Sequence, residues 1–123
     1  MKCDDLREMT MDQLVELFAN IALDQDRAIA KDDNPRYTRL FWQMEAVEEE
    51  LKGRGEDQRR ALLQLHGHSN AQVRLAAAKA TLAVAPEAAR NLLRAIADSH
   101  DNPQSGDAGM CLVNLDRGIF KPT

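Results

Sequence analysis

Cysteine is nearly missing from this sequence. Cys3 and Cys111 are the only two, which excludes a disulfide framework. Aromatic residues make up 4%, and the chain has six glycines and four prolines. That shortage removes the usual materials of strands and tight turns and favours helices. No apolar run approaches the ~20 residues of a membrane span. The opening MKCDDLREMT carries charge without an apolar segment, so it does not read as a secretory signal. Positive charge is in deficit as well. A net charge of -4 lacks the broad cationic field of a typical nucleic-acid binder. Motifs of chemistry are also missing. There is no Gly-rich phosphate loop, His-Glu-x-x-His, Gly-x-Ser-x-Gly or Cys-x-x-Cys, so the chain reads as non-enzymatic and without a cofactor.

What remains is ordinary globular material. Hydrophobic residues at 44% and charged residues at 29% suit one packed domain of 123 residues and exclude a disordered chain. Cys111 lies in an apolar helical stretch and reads as a reduced core residue. Together these features describe a cytoplasmic, bacterial-type protein.

Apolar spacing and cap residues predict six helices. Thr10 and Gln13 form a capping box that opens the first, over 11–31, with Leu14, Val15, Phe18, Ile21, Ala22 and Ala28 inward. Asn34 as N-cap and Pro35 at the first helical position open the second. Its inward stripe is Tyr37, Leu40, Phe41, Met44, Val47 and Leu51, while Glu48, Glu49 and Glu50 read as a solvated face. Asp57 opens a short third helix through Leu62 and Leu65. Ser69 and Gln72 read as a second capping box, opening a helix over 71–84. Pro86 starts the fifth helix, and the last runs from Ser105 to Asp116. Ile119 and Phe120 are expected to tuck the tail back against the last pair. No segment alternates with period 2 as a half-buried strand would.

Two pieces of the chain are alike. LLQLHGHSNAQVRLAAAKATL begins at Leu62 and LLRAIADSHDNPQSGDAGMCLVNL begins at Leu92; both pass through His-x-Asn. Such self-similarity points to stacked helical hairpins. It also gives alanine a purpose. A helix flanked on two sides needs small residues for close approach, and Ala has the best helix propensity. The 71–84 helix is therefore expected at the centre. Val73, Ala76, Ala77, Ala80 and Val84 form its inward face, widened to one side by Leu75 and Leu82.

Residues 57–82, above all Ser69-Asn-Ala-Gln-Val73-Arg74 with Ala77, Ala78 and Ala80, resemble a HEAT repeat. Leu82 falls one place later than the repeat pattern has it, and Gly106-Asp-Ala-Gly109 stands where the second copy would carry Val-Arg. The whole chain is also similar to a small bacterial family known only as a domain of unknown function, grouped with armadillo and HEAT-like helical proteins. The resemblance implies an all-α, right-handed stack of about three antiparallel hairpins, an alpha-alpha superhelix. It divides one domain (1–123) into a hairpin over 10–53, a HEAT-like repeat over 57–84, a degenerate repeat over 86–118 and a tail, 119–123. Val73, Arg74, Ala77, Ala80 and Leu82 are the structural repeat positions. By the same resemblance Arg74 has an acidic partner in the next hairpin, with Asp98, Asp101 and Asp107 as candidates. HEAT-like proteins mostly bind macromolecules, so the implied role is protein binding.

Three features remain as candidate sites. His66, His68 and His100 sit at two equivalent turns, but His-Gly-His is no recognised metal spacing, and backbone-bonded turn histidines are the expected outcome. Trp42 falls on the face of Thr38, Glu45 and Glu49, far from the inward stripe. It is either covered by the first ten residues, the favoured reading, or open to a partner, in which case Trp42, Glu45 and Glu49 form the contact set. Arg54, Arg59, Arg60, Arg74 and Lys79 would have to converge for the alternative function, a HEAT-like nucleic-acid-acting enzyme or binder. The leading function is a non-enzymatic module for an unknown protein partner, an antidote-type protein whose carboxylates meet a basic surface. Self-association through the open ends of the stack is a third reading.

Overall fold

The structure is a computed structural model that describes residues 3–123, with side chains from residue 5; the side chain of Cys3 lies outside the described residues. Among the described residues every regular element is helical. They are α1 (Cys3–Arg7), α2 (Met11–Ala30), α3 (Asn34–Lys52), a 3-10 segment (Gln58–Gly67), α4 (Ala71–Ala80), α5 (Pro86–Asp98) and α6 (Gln104–Asp116). No helix among the described residues is long and apolar enough to cross a membrane.

The expected caps hold at one end and shift at others. Thr10 and Gln13 form the capping box that starts α2, with the Gln13 amide N–H 3.1 Å from Thr10 Oγ1 and the Thr10 N–H 2.8 Å from Gln13 Oε1. α3 is capped by Asp33, not Asn34, because the Asp33 carboxylate reaches the Arg36 N–H. α4 is capped by Asn70, not Ser69. Asn70 Oδ1 accepts from the N–H groups of both Gln72 and Val73, at 2.8 and 3.1 Å. That leaves the Gln72 side chain free for another role.

Two elements differ in kind from the sequence reading. α1 was not expected; it buries Leu6 at its centre. The segment after Asp57 is 3-10 rather than α. With three residues per turn, positions i and i+3 eclipse. Arg59, Leu62 and Leu65 thus share one ridge, with both leucines buried.

α2 packs chiefly on α3, the 3-10 segment on α4, and α5 on α6; α4 also touches α2, α5 and α6. α4 is the central wall. Val73, Ala76, Ala77 and Ala80 enter one core with α2, α3 and the 3-10 segment. Leu75, Ala78 and Leu82 enter a second core with Ala89, Leu93, Ile96, Ala108 and Cys111. At about 100° per residue the two faces of α4 lie roughly 170° apart. Leu75 and Leu82 therefore do not widen the first face. They form the opposite one, and alanine lets both sides approach.

A polar chain crosses this centre. Gln72 Nε2 donates to Gln25 Oε1 at 3.1 Å, and Gln104 Nε2 donates to Gln72 Oε1 at 3.0 Å. All three glutamines are buried, and they tie α2, α4 and α6 together. Asn70 Nδ2 adds a bond to Asp26 Oδ2 at 3.2 Å.

Candidate functional site

α3 buries Leu40, Met44, Val47 and Leu51. Their 4-3-4 spacing defines one stripe along the helix. Trp42 lies roughly 170° from that stripe and Phe41 roughly 90° from it. The structure follows this geometry. Trp42 is 62% exposed and Phe41 is 48% exposed. Their rings meet edge to face, 5.3 Å between centroids. Phe41 is thus not an inward residue as its placement in the stripe implied, and residues 5–10, the part of the first ten whose side chains are described, leave Trp42 largely exposed.

The outer face of α3 separates two hollows. The first lies between α3 and α4, which do not pack along their length. Tyr37, Phe41, Met44, Glu45 and Glu48 line it from α3, and Gln72, Leu75, Ala76 and Lys79 line it from α4. Gln25, Asp107 and Phe120 complete a cavity of about 240 Å³. The second is a broader hollow of about 460 Å³ against α1, lined by Leu6, Arg7, Trp42, Glu45, Ala46, Glu49 and Glu50. The expected set of Trp42, Glu45 and Glu49 is brought together there. Glu45 borders both hollows.

The three consecutive glutamates are not equivalent. Glu49 is exposed, and Glu50 accepts from Arg54 Nε at 2.6 Å. Glu48 turns into the first cavity. Burial pushes its carboxyl up to about 7; Glu45 pushes the same way, Arg59 pulls back, and Glu49 adds to the rise. Only Glu49 keeps the solvated role expected of all three. The sign of the Glu48 shift means that the folded state holds this proton more tightly than the unfolded one. Its contribution to stability therefore declines as pH rises from about 4.5 through about 7.

The cations are engaged locally. Arg74 Nη1 donates to the carbonyls of His68 and Ser69, at 2.8 and 3.0 Å, and not to Asp98, Asp101 or Asp107. The link from α4 to α6 is made instead by Lys79, whose Nζ lies 2.6 Å from Asp107 Oδ1. Arg54 also donates to the carbonyls of Leu6 and Arg7, closing α1 onto the end of α3. Arg59 clamps Asp57 with Nε and Nη2. That bond holds the Asp57 carboxyl below its usual value.

Two of the three turn histidines have partners, and His100 is exposed. His66 Nε2 lies 2.9 Å from the buried Thr81 hydroxyl, and burial depresses its pKa. His68 Nδ1 accepts from the Asn70 N–H at 3.0 Å. Among the described residues no cluster of three histidine, cysteine or acidic side chains is arranged to hold a metal. Cys111 is a free, buried thiol whose pKa is raised by burial. The tail is held by Asn114, whose carbonyl accepts from the N–H groups of Ile119 and Phe120. Phe120 reaches the α3 cavity and does not simply cover the last helix pair.

A small all-helical domain with an open ring-and-carboxylate face is the class that these features define. The chain belongs to the family described as domain of unknown function DUF2019, which matches residues 12–116. Among solved structures it is similar to the crystal structure of the protein RPA1889 from Rhodopseudomonas palustris CGA009. The two are 52% identical with a TM-score of 0.93, over 96% of this chain and 98% of that one. No curated protein matches.

Proposed function

We propose that the protein is a non-enzymatic, HEAT-like binding module that receives a basic protein partner on the outer face of α3. The observation that carries this reading is the open Phe41–Trp42 pair beside Glu45 and Glu49. Large rings of this kind are the usual anchors of protein interfaces. Carboxylates around them select a basic surface and speed its approach. A right-handed stack of three hairpins would present α3 along one side, and the pairing of α2 with α3, the 3-10 segment with α4 and α5 with α6 supports that build. The proposal takes the protein as a cytoplasmic, bacterial antidote-type partner. A nucleic-acid role is less well supported, since of the five cations it needs Arg54, Arg59, Arg74 and Lys79 are each bound within the chain and only Arg60 is exposed. Self-association has one observation in its favour. Met110 and Val113 on α6 are exposed at 60% and 42%.

The test is retention of partners from native cell extract. Wild type is compared with Trp42→Ala and with Met110→Asp. The reading expects a protein retained by wild type and Met110→Asp, lost with Trp42→Ala and weakened by salt. Retention of nucleic acid alone contradicts it. Loss with Met110→Asp instead moves the interface to α6.

A further inference from the structure

The cavity between α3 and α4 has a definite chemistry. Its floor is apolar, from Met44, Leu75 and Ala76, and Tyr37, Phe41 and Phe120 supply rings. Glu45, Glu48 and Asp107 supply three carboxyls against the single ammonium of Lys79, which Asp107 already holds. An anion would therefore be repelled. The volume of about 240 Å³ lies below the roughly 300–1,000 Å³ of sites for whole cofactors and drug-sized ligands. It suits one side chain.

Two polar groups in the cavity lack protein partners. The Glu48 carboxylate accepts no hydrogen bond among the described residues, although burial affects it more than any neighbouring charge does. Gln25 is only 2% exposed, yet it uses one end of its amide in the glutamine chain and leaves the other without a partner. If the three amides are turned over together, both bonds between them survive and Gln25 Oε1 becomes the free end. Turned over in this way, the chain would present an acceptor to the cavity in place of the Gln25 Nε2 donor and keep both of its own bonds.

We propose that this cavity receives the guanidinium of an arginine side chain carried by the protein partner. It stacks against the rings, donates to Glu45 and Glu48, and reaches Gln25. The inference rests on the reading of α3 as the docking face for a basic protein. Arginine fits better than lysine because a planar, weakly hydrated guanidinium stacks on rings and donates through a fork.

The probe is N-acetyl-arginine amide, titrated into isotope-labelled full-length protein and followed by NMR, with the citrulline analogue as the neutral control. The expected result is shifts centred on Phe41, Glu48 and Phe120 with arginine and none with citrulline. Affinity should fall about tenfold from pH 8 to pH 6 as Glu48 takes up its proton. The charges facing Glu48 are Glu45 and Glu49 from α3, Arg59 from the 3-10 segment, Lys79 from α4 and Asp107 from α6. Glu48→Gln should remove the pH dependence and weaken binding at least tenfold; Phe41→Ala should weaken binding while keeping the pH dependence. Equal shifts with arginine and citrulline, or shifts away from the cavity, overturn the assignment. If the arginine probe leaves the cavity untouched while Trp42 still governs protein retention, the arginine assignment fails and the docking face stands. If both tests fail, both readings fall.

Discussion

Gln72→Ala is expected to lower the stability of the folded chain by about 2–4 kcal/mol. Gln72 is the middle of the buried amide chain, donating to Gln25 and accepting from Gln104. Its removal leaves an acceptor on Gln25 and a donor on Gln104 without partners. Each unmet buried group costs roughly 1–3 kcal/mol, and no rearranged side chain stands ready to replace the lost bonds. At about 4 °C per kcal/mol the melting temperature falls by roughly 10 °C. The comparison that isolates hydrogen bonding is the triple change of Gln25, Gln72 and Gln104 to Leu. Removing every partner together leaves no orphaned amide, so it should cost less than Gln72→Ala alone. Thermal melts of the two variants check this. A triple variant less stable than the single would mean that the amides act through shape rather than through their bonds.

Leu93→Ala is expected to cost about 2–5 kcal/mol, since Leu93 is fully buried in the second core and its loss leaves a cavity. The more telling result is the form of the transition. α4 supplies Ala77 and Val73 to the first core and Leu75 and Ala78 to the second. Neither core can lose its packing without loosening that wall. Unfolding should therefore remain a single transition, the same by circular dichroism and by Trp42 fluorescence. Two separate transitions would show that α5 and α6 melt on their own and that α4 does not couple the halves.

The sequence displays much of this architecture, for reasons that lie in particular residues. Alanine at 76, 77, 78 and 80 announces a helix with neighbours on both sides, and α4 has them. Thr10 with Gln13 announces the start of α2. The opposed faces of α4 were harder to read. Leu75 lies on the far side by wheel angle, yet a short apolar helix looks like one broad stripe until its neighbours are known. The glutamine chain was missed because Gln72 also fits a capping box. Asn70 takes the cap, and the side chain is left to turn inward. A signal was present: the repeated His-x-Asn continues to His-x-Asn-x-Gln, at Gln72 and again at Gln104. Nothing local marks Gln25 as the third member, because its place is set by how α2 meets α4.

The candidate face was legible in part. The wheel angle singled out Trp42, Glu45 and Glu49, and the structure sets them around one hollow. Phe41 reads as part of the inward stripe, but it lies roughly 90° from the centre of that stripe, which carries it to the border of the cavity. The role of Glu48 could not be read from a run of three glutamates. Its difference from Glu49 comes from α4 and the tail, which close over one side of α3 and not the other. Phe120 lies far along the chain from α3, and only the return of the tail from Asn114 brings it there.

The account turns on whether the outer face of α3 is open, and Trp42 is the only tryptophan in the chain. Iodide quenching of its fluorescence in the free full-length protein asks this directly. The account predicts strong quenching, little reduced from that of a free tryptophan derivative and unchanged by shortening the N-terminus before Leu6. A shielded tryptophan that becomes quenchable only when those residues are removed would contradict it, because the face would then be covered by its own chain and closed to a partner.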